Sequence, residues 1–278
     1  MRVLLTGWRG FIGGALVRRL RDLDVMVIPY EGDVRNIATF STRCDVAVHL
    51  AARARTGATP RAELETTETN VMGALAIAEY ARRSFGSVVF TSTCAVYGMA
   101  EKGERLSEEH PTGPREPNGL SKLLAEEILL SSARLNGFGV VILRLFNVYG
   151  TGQPQGFLVP DVIHALEVGE PIGLRNPRAV RDFVHVDDVC EAIWRAIGAS
   201  AQRDIRIFNI GTGEGTAVVE VAHALARLAG TGDDWIRAES GGDSSVIVAD
   251  PTAALSRLQW KPEIDLVTGL TATLRSGS

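Results

Sequence analysis

The sequence has few cysteines and no long apolar run. Its 278 residues include three cysteines, Cys44, Cys94 and Cys190, with neither Cys-x-x-Cys nor cysteine–histidine spacing. That pattern argues against a metal site and a disulfide framework, and it is typical of a reducing compartment. No stretch reaches the roughly 18 apolar residues of a membrane span, and polar residues interrupt the opening MRVLLTGWRGFIG, unlike a signal peptide. We therefore expect a cytoplasmic protein that binds no metal and no membrane.

Clustered positive charge is also missing. The chain carries 29 Lys and Arg against 33 Asp and Glu, for a formal net charge of -4, and we find no basic stripe. Nucleic acid is therefore not an expected partner. Aromatic residues make up only 6% of the chain and include just four tyrosines, whereas 45% of the residues are hydrophobic. This is enough apolar material for one large domain or a domain with a smaller lobe.

Short apolar runs alternate with helical periodicity through the first half of the chain. The runs predict strands at 2–7, 25–28, 44–52, 87–93 and 140–150, and the periodic segments predict helices at 13–23, 69–83 and 121–137. Short buried strands separated by helices indicate a parallel sheet covered on both faces. With a glycine-rich turn after the first strand, the pattern predicts an α/β fold with a Rossmann-type doubly wound parallel sheet.

The pattern changes after about residue 152. Two helices joined by Pro- and Gly-rich turns are followed by a strand and a further helix, at 156–169, 185–198, 206–213 and 217–230. We expect a dinucleotide-binding domain over residues 1–152 and a smaller C-terminal α/β substrate lobe over residues 153–278. The chain should cross back to the Rossmann domain near residues 181–213.

Gly7, Gly10 and Gly13 stand at Gly-x-x-Gly-x-x-Gly spacing between the first strand and the first helix. Glycines at these places let the backbone turn tightly and approach a pyrophosphate, whose charge then lies against the helix N-terminus. The spacing predicts a dinucleotide site. A tight turn that only packs helix against strand would leave the same pattern.

The choice of dinucleotide depends on the end of the second strand, where a carboxylate normally accepts from the adenine ribose 2′-hydroxyl. That position falls near Pro29 or Tyr30, neither of which has a carboxylate. Glu31, one or two residues later, could take the same role. Arg9, inside the glycine turn, could instead pair with a 2′-phosphate. The balance slightly favours NADP(H) over NAD(H), although Arg9 could also be a plain solvated charge.

A series of motifs, in this order and spacing, resembles the extended short-chain dehydrogenase/reductases. They are TGWRGFIG (6–13), VAVHLAA (46–52), TNVMGALAIAEYAR (69–82), FTSTCAVYG (90–98), SKLLAEE (121–127), LRLFNVYG (143–150), NPRAVRDFVHVDDV (176–189), FNIGTG (208–213) and ADPTAALSRLQWKPEIDL (249–266). More narrowly, the chain resembles the NAD-dependent epimerase/dehydratase family, which modifies nucleotide sugars. The resemblance covers essentially the whole chain.

The resemblance implies a set of coenzyme and substrate contacts. Asp33 and Val34 would hold the adenine, and their short link to the second strand suggests that one helix of the usual fold is missing. The expected coenzyme-binding residues are Gly7, Arg9, Gly10, Phe11, Ile12, Gly13, Asp33, Val34, Leu50, Ala51, Ala52, Thr91 and Lys122, and the expected substrate-binding residues are Thr93, Asn147 and Arg181. Arg181 could alternatively pair structurally with Asp182 or Asp187. Many relatives carry a further arginine before the last strand, but ESGGDSSVIVAD (239–250) has none.

The family places a Ser or Thr, a Tyr and a Lys around the nicotinamide, and the matching catalytic positions here hold Thr93, Asn118 and Lys122. An amide can donate or accept a hydrogen bond but cannot carry a proton near neutral pH. Three readings of Asn118 stay open. Water, Thr93 or a substrate group could relay the proton, the chemistry could have moved to an elimination or isomerisation with another base such as His110, or the protein could bind without catalysing. Tyr97 and Tyr149, at the ends of adjacent strands, are candidate substitute acids.

We therefore predict an NAD(P)-dependent nucleotide-sugar oxidoreductase of the 4-ketoreductase or epimerase type. The alternatives are a catalytically impaired protein that binds coenzyme or sugar nucleotide, and a dehydratase or isomerase with a different base. The expected partners are a nucleotide sugar and a second copy of the chain, because helices 69–83 and 121–137 match the homodimer interface common in the family. The alternative is that the apolar faces of these helices only cover the sheet.

Overall fold

The chain folds around a six-stranded parallel sheet. The computed structural model describes residues 1–53, 59–84, 86–98, 103–174, 176–201, 204–232, 235–238 and 244–276. The strands are β1 (Arg2–Thr6), β2 (Met26–Pro29), β3 (Val46–His49), β4 (Ser87–Thr93), β5 (Val140–Leu145), β6 (Asn147–Tyr149), β7 (Ile172–Leu174), β8 (Val180–Arg181), β9 (Phe183–His185), β10 (Ile205–Ile210), β11 (Thr216–Ala217), β12 (Ile236–Ala238) and β13 (Val246–Ile247). The helices are α1 (Phe11–Asp22), α2 (Pro60–Ser84), α3 (Pro117–Asn136), α4 (Leu158–Val168), α5 (Val186–Ser200), α6 (Val218–Leu228), α7 (Thr252–Arg257) and α8 (Leu266–Ser276).

Helices cover both faces of the central sheet, whose order is β10-β5-β4-β3-β1-β2. Successive side chains of a strand point to opposite faces. Val3 and Leu5 accordingly pack with residues of α1 and α5, whereas Leu4 packs with residues of α2 and α3. All three side chains are fully buried. This arrangement confirms the doubly wound Rossmann-type sheet and explains why its strands are almost continuously apolar.

β2 is an edge strand, which shortens the sheet on one side. In the standard doubly wound order, 3-2-1-4-5-6, a third strand lies outside the second. Here the chain passes from β2 into a short 3-10 helix, Val34–Thr39, and then directly to β3 beside β1. Val34 and Ile37 of this turn are buried, and Ile37 packs in the same apolar cluster as Leu4 of β1. The expectation that one helix is missing after the second strand is therefore confirmed.

The predicted single strand over residues 140–150 is wrong. The chain leaves the central sheet after Leu145, and Asn147–Tyr149 pairs instead with Phe183–His185 in a separate two-stranded sheet. The backbone N–H of Phe146 still donates to the Ile210 carbonyl of β10, at 3.0 Å. The change of partner carries the chain from the sheet towards the second lobe.

α2 begins well before the predicted residue 69, at Pro60. The Thr59 hydroxyl accepts a hydrogen bond from the Ala62 N–H at 3.2 Å, and proline occupies the first helical position. Both are ordinary signals of a helix start. The first part of this helix has the mostly polar sequence RAELETTET (61–69), so it shows little of the apolar periodicity that predicts a helix.

The second lobe has its own apolar core, formed by α4, α6 and α8 with the short strands β7 and β9 and Tyr149 of β6. The chain returns to the first lobe between them. α5 packs beside α1 on the central sheet, and β10 becomes its sixth strand next to β5. Among the described residues, no helix combines the length and the apolarity that crossing a membrane requires.

Candidate active site

Two cavities lie at the carboxyl ends of the central strands. A cavity of about 620 Å³ lies beside the glycine turn, Lys122 and β6, and a second cavity of about 520 Å³ lies beyond the turn, near Tyr30 and Asp33. Both are lined by Gly7, Gly10, Leu50, Ala52 and Arg53. We call them the inner cavity and the outer cavity. The two cavities are therefore adjacent and share the glycine turn as part of their lining. We use the word cleft for the two cavities together.

The glycine turn fits closely between β1 and α1. Gly7 has a φ of +69°, and a Cβ there would come within 2.7 Å of the Ala51 nitrogen. A Cβ on Gly13 would overlap the Gly7 carbonyl oxygen. α1 then starts at Phe11 with no side-chain cap and no acidic residue in its first turn. An uncapped helix N-terminus that faces a cleft suits an anion such as a pyrophosphate.

Asp33 and Val34 lie in the outer cavity, as the resemblance implies. Val34 is buried, whereas the Asp33 carboxylate is exposed and ion-paired with the Arg35 guanidinium at 2.5 Å. Hydrogen bonds from the Arg35 side chain and backbone lower the pKa of this carboxyl. Tyr30 donates to the Asp33 carbonyl at 3.1 Å. The pair is thus held on a short, ordered turn.

Arg9 and Glu31 also line the outer cavity, and they pair with each other at 3.2 Å. Both side chains are largely exposed, at 70% and 63%. The Arg9 guanidinium additionally lies 4.5 Å from the centre of the Trp8 ring. The two groups that compete for the adenine-ribose position in the sequence are therefore neighbours in the structure.

Lys122 is the buried cation of the inner cavity. Its side chain, from the first turns of α3, donates to the Thr91 carbonyl at 2.6 Å and lies 4.5 Å from the centre of the Phe90 ring. Burial lowers the pKa of its ammonium to about 8, opposed by the charge of Glu126. Thr91 is itself buried and donates to the His49 carbonyl. β4 and α3 together hold this lysine at the cavity wall.

Thr93 and Asn118 line the same cavity as Lys122. The Thr93 hydroxyl accepts from the Ala95 N–H at 3.2 Å, at the start of a short 3-10 turn. Asn118 lies one turn before Lys122 on α3, and its side-chain oxygen is buried without a hydrogen-bond partner among the described residues. The three catalytic candidates are therefore brought together in the inner cavity.

None of the four tyrosines lines the inner cavity. The Tyr97 hydroxyl donates to Asn209 at 2.6 Å and accepts from Arg144 at 3.0 Å, and burial raises its pKa to about 12. Tyr149 packs in the core of the second lobe, where burial raises its pKa. His110 also lies outside the cavity wall and packs edge-on to the Tyr97 ring. The substitute acids and base considered from the sequence are not supported by this geometry.

Of the expected substrate residues, Asn147 lines the inner cavity and Arg181 does not. The Asn147 side-chain oxygen is buried and lacks a partner among the described residues. The Arg181 guanidinium donates to the carbonyls of Val180 and Ser245 at 2.8 and 2.9 Å. The stretch in which relatives carry a further arginine falls partly on residues 239–243, outside the described residues.

Arg53 and Gln153 are among the cavity residues that the sequence analysis missed. Gln153 donates to the Val148 carbonyl at 2.8 Å, and its side-chain oxygen is buried with no partner in the described chain. Arg53 lines both cavities and pairs with Glu65 at 2.6 Å. A cation directly after the motif VAVHLAA could have indicated Arg53. No sequence signal points to Gln153.

A buried polar network lies behind the site. Glu126 accepts from Ser92 and forms an ion pair with Arg144 at 2.7 Å, with the two charged side chains only 1% and 5% exposed. Arg144 continues the network to Tyr97, whose hydroxyl reaches Asn209. The network fixes the end of β4 next to Thr93 and the part of α3 that carries Lys122. Within the described ranges, no group of three or more His, Cys, Asp or Glu side chains is arranged to hold a metal ion.

Comparisons with known proteins agree with this architecture. The profile of the NAD dependent epimerase/dehydratase family matches residues 3–211. The UDP-glucose 4-epimerase of Streptomyces lividans is 30% identical over 302 residues of alignment, which cover 94% of this chain and 91% of the relative. The alignment is longer than the 278 residues of the chain, so the relative has segments that this chain lacks.

Two solved structures share the fold over nearly their whole length. MoeE5 in complex with UDP-glucose and NAD has a TM-score of 0.91 and 29% identity, and the match covers 100% of this chain and 98% of that one. The UDP-glucose 4-epimerase of Thermus thermophilus in complex with NAD has a TM-score of 0.89 and 29% identity, with 99% and 98% covered.

Proposed function

The chain belongs to the NAD dependent epimerase/dehydratase family, and we propose that it catalyses NAD(P)-dependent oxidation–reduction at a keto or hydroxyl carbon of a nucleotide-activated sugar. The reaction is of the 4-ketoreductase or epimerase type. The observation that carries the proposal is the pair of cavities that share the glycine turn as lining, with Thr93, Asn118 and Lys122 in the inner one. Two adjacent cavities on either side of such a turn suit a dinucleotide whose reactive end meets a second ligand.

The residues present fit a pyridine dinucleotide. The uncapped start of α1 would hold the diphosphate, and the small residues Ala51 and Ala52 would let the backbone approach it. Asp33 and Val34 would contact the adenine, while Thr91 and Lys122 would lie at the nicotinamide end. The bound coenzyme supplies the hydride acceptor or donor, which no amino-acid side chain can replace.

The choice between NAD(H) and NADP(H) rests on Arg9 and Glu31. A 2′-phosphate would form an ion pair with Arg9 and so break the pair of Arg9 with Glu31. A ribose 2′-hydroxyl would instead donate a hydrogen bond to Glu31 and leave that ion pair intact. The pairing reduces the advantage that Arg9 alone gives a 2′-phosphate. NAD is the coenzyme bound to MoeE5 and to the Thermus epimerase. We propose that this pair sets the coenzyme preference.

Amide side chains would orient the sugar. Asn118, Asn147 and Gln153 line the inner cavity, and each has a buried oxygen without a partner among the described residues. An unpaired buried acceptor costs about 1–3 kcal/mol, so these oxygens favour a ligand that donates hydrogen bonds to them. Sugar hydroxyls are such donors. The Nη1 group of Arg181 already donates to the carbonyls of Val180 and Ser245, so a contact of Arg181 with the diphosphate would use the other N–H groups of its guanidinium.

Asn118 also favours a second candidate function. In the family position of the proton-transferring tyrosine, an amide supplies no proton, and a protein that binds coenzyme and sugar nucleotide without turnover would show this substitution. General acid–base help contributes about a hundred- to ten-thousandfold in rate, whereas positioning of the reactants can contribute more. We therefore rank the enzyme above the binding protein.

The experiment combines coenzyme absorbance with product analysis. UDP- and dTDP-sugars and their 4-keto forms are incubated with each coenzyme, reduction is followed by the absorbance of reduced nicotinamide, and epimerisation is followed by chromatography. Turnover by the natural protein that Asn118→Ala abolishes would assign the amide a catalytic role. Turnover that exists only in Asn118→Tyr would identify the natural protein as the binding protein.

We propose a homodimer that uses α2 and α3. Leu75 of α2 and Leu120 and Leu124 of α3 are 52%, 46% and 42% exposed, although the two helices pack against each other. A second copy would cover these side chains. Light scattering of the natural protein and of Leu75→Glu tests this directly: a dimer that the charge converts to monomer supports the interface, and a natural monomer refutes it.

A further inference from the structure

Three titratable side chains line the inner cavity among the described residues: Arg53, Cys94 and Lys122. An arginine stays protonated at every pH at which a protein is folded. Burial raises the pKa of the Cys94 thiol to about 12, so this thiol stays protonated near neutral pH. Lys122 is the remaining group at the cavity wall that can both lose and regain a proton there.

The surroundings of Lys122 make its neutral form accessible. Its side chain is 6% exposed and lies over the Phe90 ring, and the desolvation lowers the pKa of the ammonium to about 8. Glu126, one turn further along α3, is held in its ion pair with Arg144 of β5, which limits its attraction for the lysine. On β3, buried His49 has a pKa lowered to about 3 and is therefore neutral.

Asn118 lies one turn before this lysine on α3 and lines the same cavity. Its side chain is shorter than the tyrosine that the family carries at this position, and its buried oxygen lacks a partner among the described residues. A carboxamide oxygen can accept from an ammonium or from one bound water. The amide is thus suited to orient a proton donor that it cannot replace.

We propose that Lys122 is itself the proton donor and acceptor of this site, with Asn118 as the residue that positions the transfer. The inference rests on the proposed function. In reduction, the bound coenzyme would supply the hydride for the new C–H bond at the carbonyl carbon. The carbonyl oxygen takes a proton from the Lys122 ammonium, directly or through one water, so an N–H bond breaks and an O–H bond forms. The products are the alcohol, oxidised coenzyme and neutral lysine, which water reprotonates. Oxidation reverses each change.

The first test measures the pKa of Lys122 by NMR titration, in the absence of turnover. The chain has three lysines, Lys102, Lys122 and Lys261, so NMR of lysine labelled with ¹³C at Cε gives three resolvable signals, assigned with Lys122→Arg. We expect the signal assigned to Lys122 to titrate near pH 8. A Lys122 signal that titrates near about 10.4, the ordinary lysine value, would overturn the proposal.

The second test follows the reaction against pH. If Lys122 supplies the proton, reduction slows as the pH rises through the lysine pKa, and oxidation speeds up over the same interval. Asn118→Tyr adds a phenol and should shift both profiles. Intact mass spectrometry before each run confirms that Asn118, which precedes a glycine, is not deamidated to a carboxylate.

The third test removes the Lys122 side chain and supplies a primary amine from solution in its place. Lys122→Ala, with folding checked by circular dichroism, should lose about a hundred- to ten-thousandfold in rate. Small primary amines of graded pKa should restore part of that rate, with an efficiency that follows amine basicity. A lysine that only holds the ribose or the fold would show no such dependence. Lys122→Arg keeps the charge but cannot release the proton, so it should bind coenzyme and stay slow.

The outcomes separate this inference from the function itself. A natural protein that binds coenzyme and nucleotide sugar without turnover overturns both. Two outcomes would overturn only the role of the lysine. One is turnover whose rate does not change through the pKa of Lys122, and the other is a loss of rate in Lys122→Ala that no added amine restores.

Discussion

Glu126→Gln tests the buried network behind the site. The substitution keeps the shape of the side chain and an acceptor for Ser92, but it removes the charge that balances Arg144. Arg144 is 4% exposed and makes three hydrogen bonds to the Glu126 carboxylate, at 2.7, 3.1 and 3.2 Å. An unbalanced guanidinium would remain in the protein interior.

Removal of one partner from a buried ion pair costs about 3–5 kcal/mol of stability. Because glutamine retains one acceptor for Arg144, we expect the lower end, about 3 kcal/mol. Urea denaturation measures the loss as a fall of the midpoint with an unchanged slope. In the NMR titration, the Lys122 signal should move to lower pH, because Glu126 opposes the depression of the lysine pKa.

A matched control removes the same charge from an exposed pair. Glu79 and Arg82 of α2 form an ion pair at 2.6 Å, with 42% and 48% of the side chains exposed. Glu79→Gln should leave the midpoint almost unchanged, because exposed pairs contribute little. The double variant Glu126→Gln, Arg144→Met should lose less than the sum of the single variants. If Glu126→Gln resembled its control, the pair would not carry the stability that its burial implies.

Three further predictions concern the coenzyme half of the cleft and the core beneath it. Gly13→Ala should abolish coenzyme uptake in calorimetry, because its Cβ would overlap the backbone of the glycine turn, whereas Gly14→Ala, which meets only a side-chain end at 4.0 Å, should bind normally. Equal uptake by both variants would contradict the turn's role. His49 has a folded pKa of about 3 against an unfolded value near 6.5, so the unfolded chain binds more protons between those values. The free energy of unfolding therefore decreases as the pH is lowered through this interval, by up to about 1.4 kcal/mol per pH unit. His49→Gln should flatten that acid limb in urea titrations, and an unchanged slope would exclude the histidine as its source. Glu31→Gln frees Arg9 and should raise the affinity for NADP(H) relative to NAD(H) several-fold, and an unaltered ratio of the two dissociation constants would refute this assignment.

The sheet and the glycine turn could be predicted because their signals are local. Strands buried on both faces are short apolar runs, and the turn is glycine spacing within one stretch of chain. The end of α3 was equally visible: Gly137 adopts a φ of +72° after Asn136, the left-handed conformation that commonly closes a helix.

The departures arise where distant residues decide the local structure. LRLFNVYG is one continuous strand-like sequence, yet its last residues pair with β9, whose own sequence lies more than thirty positions later. Local propensity cannot reveal such a change of partner, since strand formation depends on the neighbour available. Local propensity could not reveal the polar network either. Its members, Glu126, Arg144, Tyr97 and Asn209, lie far apart in the sequence and meet only in the folded chain.

The two halves of the cleft therefore place different requirements on the residues that form them. The coenzyme half needs backbone geometry, which only a few residue types provide, so the glycines of TGWRGFIG mark it plainly. The half that we propose for proton transfer needs a group with a suitable pKa, and burial and neighbouring charges set that property. If Lys122 is the proton donor, as we propose, an asparagine can stand at position 118 because the buried lysine, with the Glu126–Arg144 ion pair nearby, supplies that group. The surroundings of Lys122 would then decide the chemistry of the site more than the residue at position 118 does.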